Sequence, residues 1–540
     1  MTDLDHTLLN RRVAAVLAPW RAAPGPGVTV GVVRAAELVL HQSAGLASIE
    51  LSAPIDAATT FRIASVSKQF TCAAILLLAA EGKLSLSDDI RLHVPELADY
   101  GTTVTIDHLM RNSSGVRDML EIMRMGGTDL AHPVSHAQLL AGIARQTTLN
   151  FPPGSRYLYS NSGFMLLGVI VERVTGQKLR DFLAQRIFAP CGMSMTRMVE
   201  STTELVPGLA TGYLPADPAA GIGPWVRAQH GFAVHGEGAL VSSILDLALW
   251  VRACATNRLT PTLTAELEAQ TPFTNGALND YASGLRLSQV RGLRTVSHGG
   301  LWPGYRTELL RVPELEAAII VITNTAAANP YAIGQVVLNH LIDGVPGARP
   351  APRPLAPDIL ARHAGRFLDP AAPATVDFTM TEAGTLTGST NGVAFDTRSN
   401  GDGRLSAANA GRDFTFRLSA DGDSMEIELD AGTTATYRRV TPGAALPADL
   451  PGTYRSDEMA ATWTIAADNT LSIAGPYAKA GPWPLEGIEG DIFRVWTPGA
   501  LYRSWLDARV VRNAEGKVTG LLTNGNRVKN LAFTRLEQRA

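Results

Sequence analysis

The sequence predicts a mixed α/β domain, an antiparallel sheet flanked by helices with an added helical region, followed by two small antiparallel β-barrels. Three observations carry that prediction. Strand and helix signals are mixed over residues 1–345, with strands at both ends of the stretch. Five prolines (Pro346, Pro350, Pro352, Pro354 and Pro357) then crowd into Val345–Pro357, the composition of an extended, semi-rigid linker. Beyond it come only short alternating apolar runs broken by Gly, Asn and Asp, the pattern of barrels or sandwiches.

In chain order, the apolar runs Val28–Val33 and Leu38–His41 flank a polar turn and read as a hairpin. Val66 to Glu81 is apolar on nearly every side and stops at Gly82, which predicts a helix buried within the domain. Ile106–Met110 and Phe164–Val174 also read as helix, the second closed by Thr175-Gly176. Leu309 to Thr323 returns to strand, with a turn at Pro313-Glu314. A sheet built from the two ends of this stretch follows. The later strands are predicted at Thr375–Thr379, Phe414–Leu418, Ser424–Leu429, Ala461–Ile465, Phe493–Trp496 and Val518–Thr523. Gly365-Arg366-Phe367, Gly384-Thr385-Leu386 and Tyr437-Arg438-Arg439-Val440 are echoed by Gly452-Thr453-Tyr454, Asn469-Thr470-Leu471 and Phe533-Thr534-Arg535-Leu536. That echo marks a duplicated unit. The expected division is therefore 1–345, a linker 346–357, and barrels 358–441 and 447–540.

Composition narrows the function. The 540 residues carry 47 basic and 50 acidic side chains, a net charge of −3, and 46% are hydrophobic. A disordered chain and a polybasic nucleic-acid or membrane-surface binder are excluded. The strongest apolar stretch, Ala73–Ala80, falls far short of the ~20 residues that cross a bilayer. Cys72, Cys191 and Cys254 are odd in number and lack C-x-x-C spacing, so neither a disulfide framework nor a cysteine metal site is expected. A cytoplasmic protein without metal or cofactor, and with no nucleic-acid or membrane partner, is the expectation. Walker, dinucleotide, G-x-S-x-G and H-E-x-x-H patterns are absent.

Three short constellations carry chemistry. Ser65-Val66-Ser67-Lys68 is the chain's sole Ser-x-x-Lys, although only six of its 47 basic residues are lysine: Lys68, Lys83, Lys178, Lys479, Lys517 and Lys529. Arg cannot deprotonate, so a lysine held beside an apolar helix, where desolvation lowers its pKa, suits a general base for a serine one turn away. A helix N-terminus there would also favour a developing oxyanion. Tyr159-Ser160-Asn161 offers a phenol to pass a proton to a leaving amine and a carboxamide to orient substrate and lysine. Taken alone, the same residues could be a loop tyrosine and a helix cap. His298-Gly299-Gly300-Leu301 offers glycines for close approach, with Gly300 beside the substrate, and a Leu301 amide that could pair with that of Ser65. His363-Ala364-Gly365 shows that His-x-Gly also arises by chance in the barrel region, and it is set aside.

In this order, Ser65-x-x-Lys68, Tyr159-x-Asn161 and His298-x-Gly300 resemble the three motifs of the serine β-lactamase and penicillin-binding protein family. Thr105–Gly115 and Gly163–Gly168 agree, and the likeness runs over residues 10–340. Within the family, Ser65–Ala73, the two added barrels and Gly452–Glu458 resemble the D-stereospecific aminopeptidases. The resemblance implies a β-lactamase/penicillin-binding type catalytic domain of α+β class. It also implies a cytoplasmic homodimer that releases N-terminal D-amino acids from peptides, amides or esters through a Ser65 acyl-enzyme. Ser65, Lys68 and Tyr159 would then be catalytic, and Asn161, His298, Gly300 and Leu301 would serve substrate and oxyanion. His298 stands where carboxylate-gripping relatives have lysine, which favours the amine end of a substrate.

The same likeness implies that a loop of the last barrel enters the cleft. The candidate is Ala474–Pro484, with Tyr477, Lys479, Gly481 and Trp483 as its gating residues. D-aminopeptidases carry an acid where Gly481 stands, and no carboxylate lies between Ile473 and Leu485. An amine-blocked amide or ester substrate therefore stays open. So do an esterase, a penicillin-recognising D,D-peptidase or β-lactamase-like enzyme and, in another class, a non-catalytic protein that keeps an acyl ligand.

Overall fold

The computed structural model describes all residues except 1–5, 23, 202, 218–222, 344, 350–354, 400–403, 409–414, 431–432, 498–503 and 538–540. Pro350, Pro352 and Pro354 of the expected linker, and Phe414 of one expected strand, lie outside the described residues.

The first region is a six-stranded antiparallel sheet in the order Arg286–Val290, Leu293–Trp302, Tyr305–Val312, Ala317–Thr323, Val28–Arg34 and Glu37–Ala44. The early hairpin is joined to the late strands by the register Val28↔Thr323 to Arg34↔Ala317. Ala317–Thr323 is buried throughout because helices cover both faces: Ile244–Ala255 packs on one and Pro330–Ile342 on the other. The buried helix spans Lys68–Ala80, and every residue from Lys68 to Leu78 is buried. At ~1.5–3 kcal/mol for each large apolar side chain, that burial fixes the helix in place despite the charged residue at its start. Ser65 lies outside the helix, in a tight turn over Ala64–Ser67. The expected start at Val66 is thus two residues early. In a 3₁₀ turn side chains three apart eclipse, which brings Ser65 and Lys68 together more directly than an α-helical face would.

The helical region adds Ile106–Met110, Met119–Met125 and Asn161–Thr175, the last closed by Gly176 in the left-handed conformation (φ 69°). Among the described residues no helix is long and apolar enough to cross a membrane.

Two closed eight-stranded antiparallel barrels follow, Gly365 to Val440 and Gly452 to Arg535. The echoed triplets fall on the first strand, the start of the third and the last strand of each barrel. Buried charge locks the barrels together: Arg494 of the second donates to Asp377 of the first at 2.9 Å, and Thr375 of the first donates through N and Oγ1 to Asp507 of the second. The second barrel in turn caps the first region. Ile122 and Met125 enter its apolar core, and Trp463 Nε1 donates to the Met125 carbonyl at 3.0 Å.

Candidate active site

Ala64 holds φ 48°, in the left-handed region that side-chain-bearing residues avoid, at a cost of order 1 kcal/mol. The kink is held by the sheet edge. A Cβ on Gly300 would lie 2.2 Å from the Ile63 carbonyl oxygen, so only glycine lets Leu293–Trp302 press against the backbone leading to Ser65. The close approach expected of Gly300 is therefore to the protein's own chain. Leu301, the next residue on that strand, lines the cleft.

Lys68 is fully buried and its Nζ has three neighbours: Ser65 Oγ at 3.0 Å, Asn161 Oδ1 at 2.9 Å and the Glu237 carbonyl at 2.6 Å. Burial lowers its pKa to about 7, with Glu237 opposing the shift and Arg527 adding to it. A neutral amine has two N–H groups and one lone pair. The two carbonyl oxygens can only accept, so they take both N–H groups and the lone pair is left facing the Ser65 hydroxyl. The protonated amine donates to all three, so one geometry fits both protonation states.

Asn161 is oriented in turn. Its Nδ2 and backbone N donate to Asp118 Oδ2 at 2.9 and 2.7 Å, which turns Oδ1 toward Lys68. Asp118 is buried and also caps the helix Met119–Met125. Sequence reading missed it, because an acid before a helix signals a cap and says nothing of what else it holds.

Tyr159 Oη donates to Ser65 Oγ at 2.7 Å, and burial pushes the phenol far above its usual range, so it keeps its proton. His298 does not reach Ser65. Its Nδ1 donates to the Gly299 carbonyl at 2.6 Å, which leaves Nε2 to accept from Tyr281 Oη at 2.8 Å. Burial, with Lys68 adding, pushes His298 down to about 3, so the ring is neutral. Tyr281 stands edge-on to the rings of both Tyr159 and His298 and is a second residue that sequence reading missed.

These groups open on a cleft of about 1090 Å³ that extends between the first region and both barrels. The expected gating loop is corrected here. Tyr477, Lys479, Gly481 and Trp483 do not line the cleft. Their segment is paired as strands, Ile473↔Ala480 and Leu471↔Trp483, which holds it flat on the barrel wall. Tyr477 packs against the apolar core of the first region, Trp483 against that of the barrel, and Gly475 abuts the Gly126 carbonyl.

The second barrel reaches the cleft through residues 525–530 instead. Glu121 accepts from Asn526 N at 2.8 Å and from Arg527 N, while Asn150 takes Lys529 N at 2.7 Å and gives Nδ2 to the Arg527 carbonyl at 3.0 Å. Pinned in this way, the loop sets the Arg527 guanidinium 4.6 Å from the centre of the Tyr159 ring and 3.6 Å from Asp118. No local motif marks Arg527, since its place depends on how the barrel docks.

Comparison with known proteins agrees with this fold. The Beta-lactamase family model matches residues 15–342. A D-aminopeptidase of Cereibacter sphaeroides is 27% identical over 535 residues, covering 96% of this chain and 97% of its own. Among solved structures, the octameric penicillin-binding protein homologue from Pyrococcus abyssi overlaps with a TM-score of 0.57 at 22% identity, covering 81% of this chain and 100% of its own. The D-amino acid amidase from Ochrobactrum anthropi SV3 overlaps with 0.52 at 24% identity, covering 62% and 99%.

Proposed function

The chain belongs to the β-lactamase family, and from that premise we propose that it is a serine hydrolase releasing N-terminal D-amino acids from peptides, amides or esters. The carrying observation is the chain of contacts Tyr159–Ser65–Lys68 with a lysine pKa near 7. Ser65 Oγ bonds to the substrate carbonyl carbon as its proton passes to Lys68. The amides of Ser65 and Leu301 hold the oxyanion. The proton returns through Tyr159 to the leaving nitrogen and the C–N bond breaks, leaving an ester on Ser65. Water then attacks with Lys68 again as base, and the Oγ–C bond breaks. Asn161 orients Lys68, and His298 acts through Tyr281 on the wall beside Tyr159.

Glu237 supplies the acid that the 474–484 segment lacks. It lines the cleft, its Oε1 accepts from His235 N at 2.9 Å, and its buried Oε2 has no hydrogen-bond partner, which suits a substrate ammonium. Arg527 favours a second reading, a D,D-peptidase-like enzyme that grips a substrate carboxylate. Rates on a D-alanine anilide, its L isomer, a short-chain ester, a cephalosporin and an N-acetylated D,D-dipeptide separate these readings. The D-anilide is expected to lead, with no turnover by Ser65→Ala; equal rates for both enantiomers reject the D-specific reading.

The free, buried state of Cys72, Cys191 and Cys254 supports a cytoplasmic setting. The homodimer rests on family resemblance, and sedimentation velocity tests it against an octamer like that of the P. abyssi homologue.

A further inference from the structure

Behind the wall of the cleft lies a second, smaller cavity of about 210 Å³, lined among others by His136, Glu172, Glu200 and His235. The four come from separate places: the start of the helix His136–Ala144, the end of Asn161–Thr175, the segment after the strand Arg197–Met198, and the stretch leading to Glu237. One donor atom each from Glu172, Glu200 and His235 lies within 4.8 Å of the others.

Three details separate this cluster from an ordinary group of surface acids. First, His235 is only 4% exposed, and its Nε2 faces Glu172 Oε1 at 3.6 Å and Glu200 Oε1 at 3.9 Å. Both separations are too long for hydrogen bonds. They are near the edge of a tetrahedron around a cation, since bonds of about 2.0–2.2 Å place neighbouring donors about 3.3–3.6 Å apart. Second, His235 Nδ1 is buried without a partner, pressed against the helix at Gly168, where a Cβ would stand 2.3 Å away. The ring thus has no hydrogen bond within reach at either nitrogen. Third, His136 Nε2 donates to the Val234 carbonyl at 3.0 Å, which leaves Nδ1 on the side of Glu200 Oε1, 3.9 Å away. A backbone carbonyl on the far nitrogen is the usual support for a metal-binding histidine. Glu172 is braced likewise by Leu179 N at 3.1 Å. Lys178 and Arg180 stand outside these carboxylates at 3.7 and 3.9 Å, and both are largely solvent-facing.

We propose that Glu172, Glu200 and His235, with His136 beside them, form a structural site for one divalent cation of the zinc class, in a cavity separate from the catalytic cleft. One imidazole and two carboxylates converge closely enough to share one ion of this class, and His136 Nδ1 stands beside them, 3.9 Å from Glu200 Oε1. The ion would fix the 234–238 segment from behind. That segment offers the Glu237 carbonyl to Lys68 and the Gly236 carbonyl to Thr71 on its cleft side. The site would thus brace the acceptor that orients the lysine without taking part in the reaction. Sequence reading expected no metal from the cysteine count and the absent H-E-x-x-H pattern; the donors found here span residues 172–235, and no two fall in a short motif.

The test uses the full chain, stripped with a chelator and titrated with ZnCl₂ by calorimetry, with CoCl₂ as a visible probe of four-coordination. One ion per chain, a rise in Tm on adding zinc, and tetrahedral cobalt absorption are expected. Glu200→Gln, on a half-buried carboxylate, and His136→Ala should each weaken zinc binding at least about 10-fold while the chains stay folded. His235→Ala should abolish it, and the milder pair stands in if that variant fails to fold. Stripped protein that takes up neither ion overturns the site, as does unchanged binding in Glu200→Gln and His136→Ala. A Tm indifferent to zinc and chelator removes its bracing role.

Discussion

The two barrels have the same eight-stranded antiparallel order and echo short similar segments at the same places, yet only one extends a loop to Ser65 and its partners. In the first barrel the last two strands pair from Asp430↔Thr433, leaving two residues between them. In the second, the equivalent strands end at Asn524 and resume at Leu531, leaving six. Those six include Arg527, which stands over Tyr159 and helps hold the Lys68 pKa down. The first barrel lines the far side of the same cleft with residues such as Phe395 and Tyr437, and binds its twin through Asp377 and Arg494. A duplicated architecture has diverged in the length and docking of one hairpin, and function follows the hairpin.

If the chemistry resides in the first region and the barrels only shape it, Ser65→Ala and Lys68→Ala should each lower kcat/KM by about 10⁴-fold or more. A barrel substitution with an equal effect would break the comparison. Replacing residues 525–530 by a two-residue Asn-Gly turn, which makes the second barrel resemble the first, should cost about 10²-fold through misplaced substrate. Unchanged kinetics in that variant would place selectivity elsewhere.

Arg527→Gln is the finer probe. Activity needs neutral Lys68, so kcat/KM rises with pH through about 7. Removing the nearby cation raises the lysine pKa and moves that acid limb to higher pH, so the loss is several-fold near neutrality and fades in alkali. His298, already neutral, should add no limb in this range.

The smallest catalytic effect belongs to Arg494→Ala. It removes the buried cation beside Asp377 and Asp507, so stability should fall by about 3–5 kcal/mol in a denaturant titration while kcat holds. A fall in kcat with intact stability would show the first barrel's seat to be coupled to the site.

Much of the fold could be read from periodicity and punctuation. The hairpin at Val28, the helix at Ile106–Met110, the turn at Pro313 and the strand Ala461–Ile465 all stand where local pattern put them. The helix start at Lys68 did not, because a 3₁₀ turn and an α-helix look alike in four residues. Ser65, Lys68 and Tyr159 were visible as short motifs. Asp118 and Tyr281 were not, since each acts on a residue distant in the sequence through side-chain hydrogen bonds that no local motif encodes. The 474–484 segment misled because prolines and aromatics mark a stiff loop and a barrel wall equally well.

By itself the sequence determined most of the strands, the duplication and a lysine one turn from a serine, because each is written in neighbouring residues. Tertiary structure alone decided that this lysine is dry enough to be neutral, that Asn161 turns its oxygen toward it, and that Arg527 rather than Lys479 faces the cleft. Those outcomes depend on which distant surfaces exclude water from one another, and docking of that kind leaves no local trace in the chain.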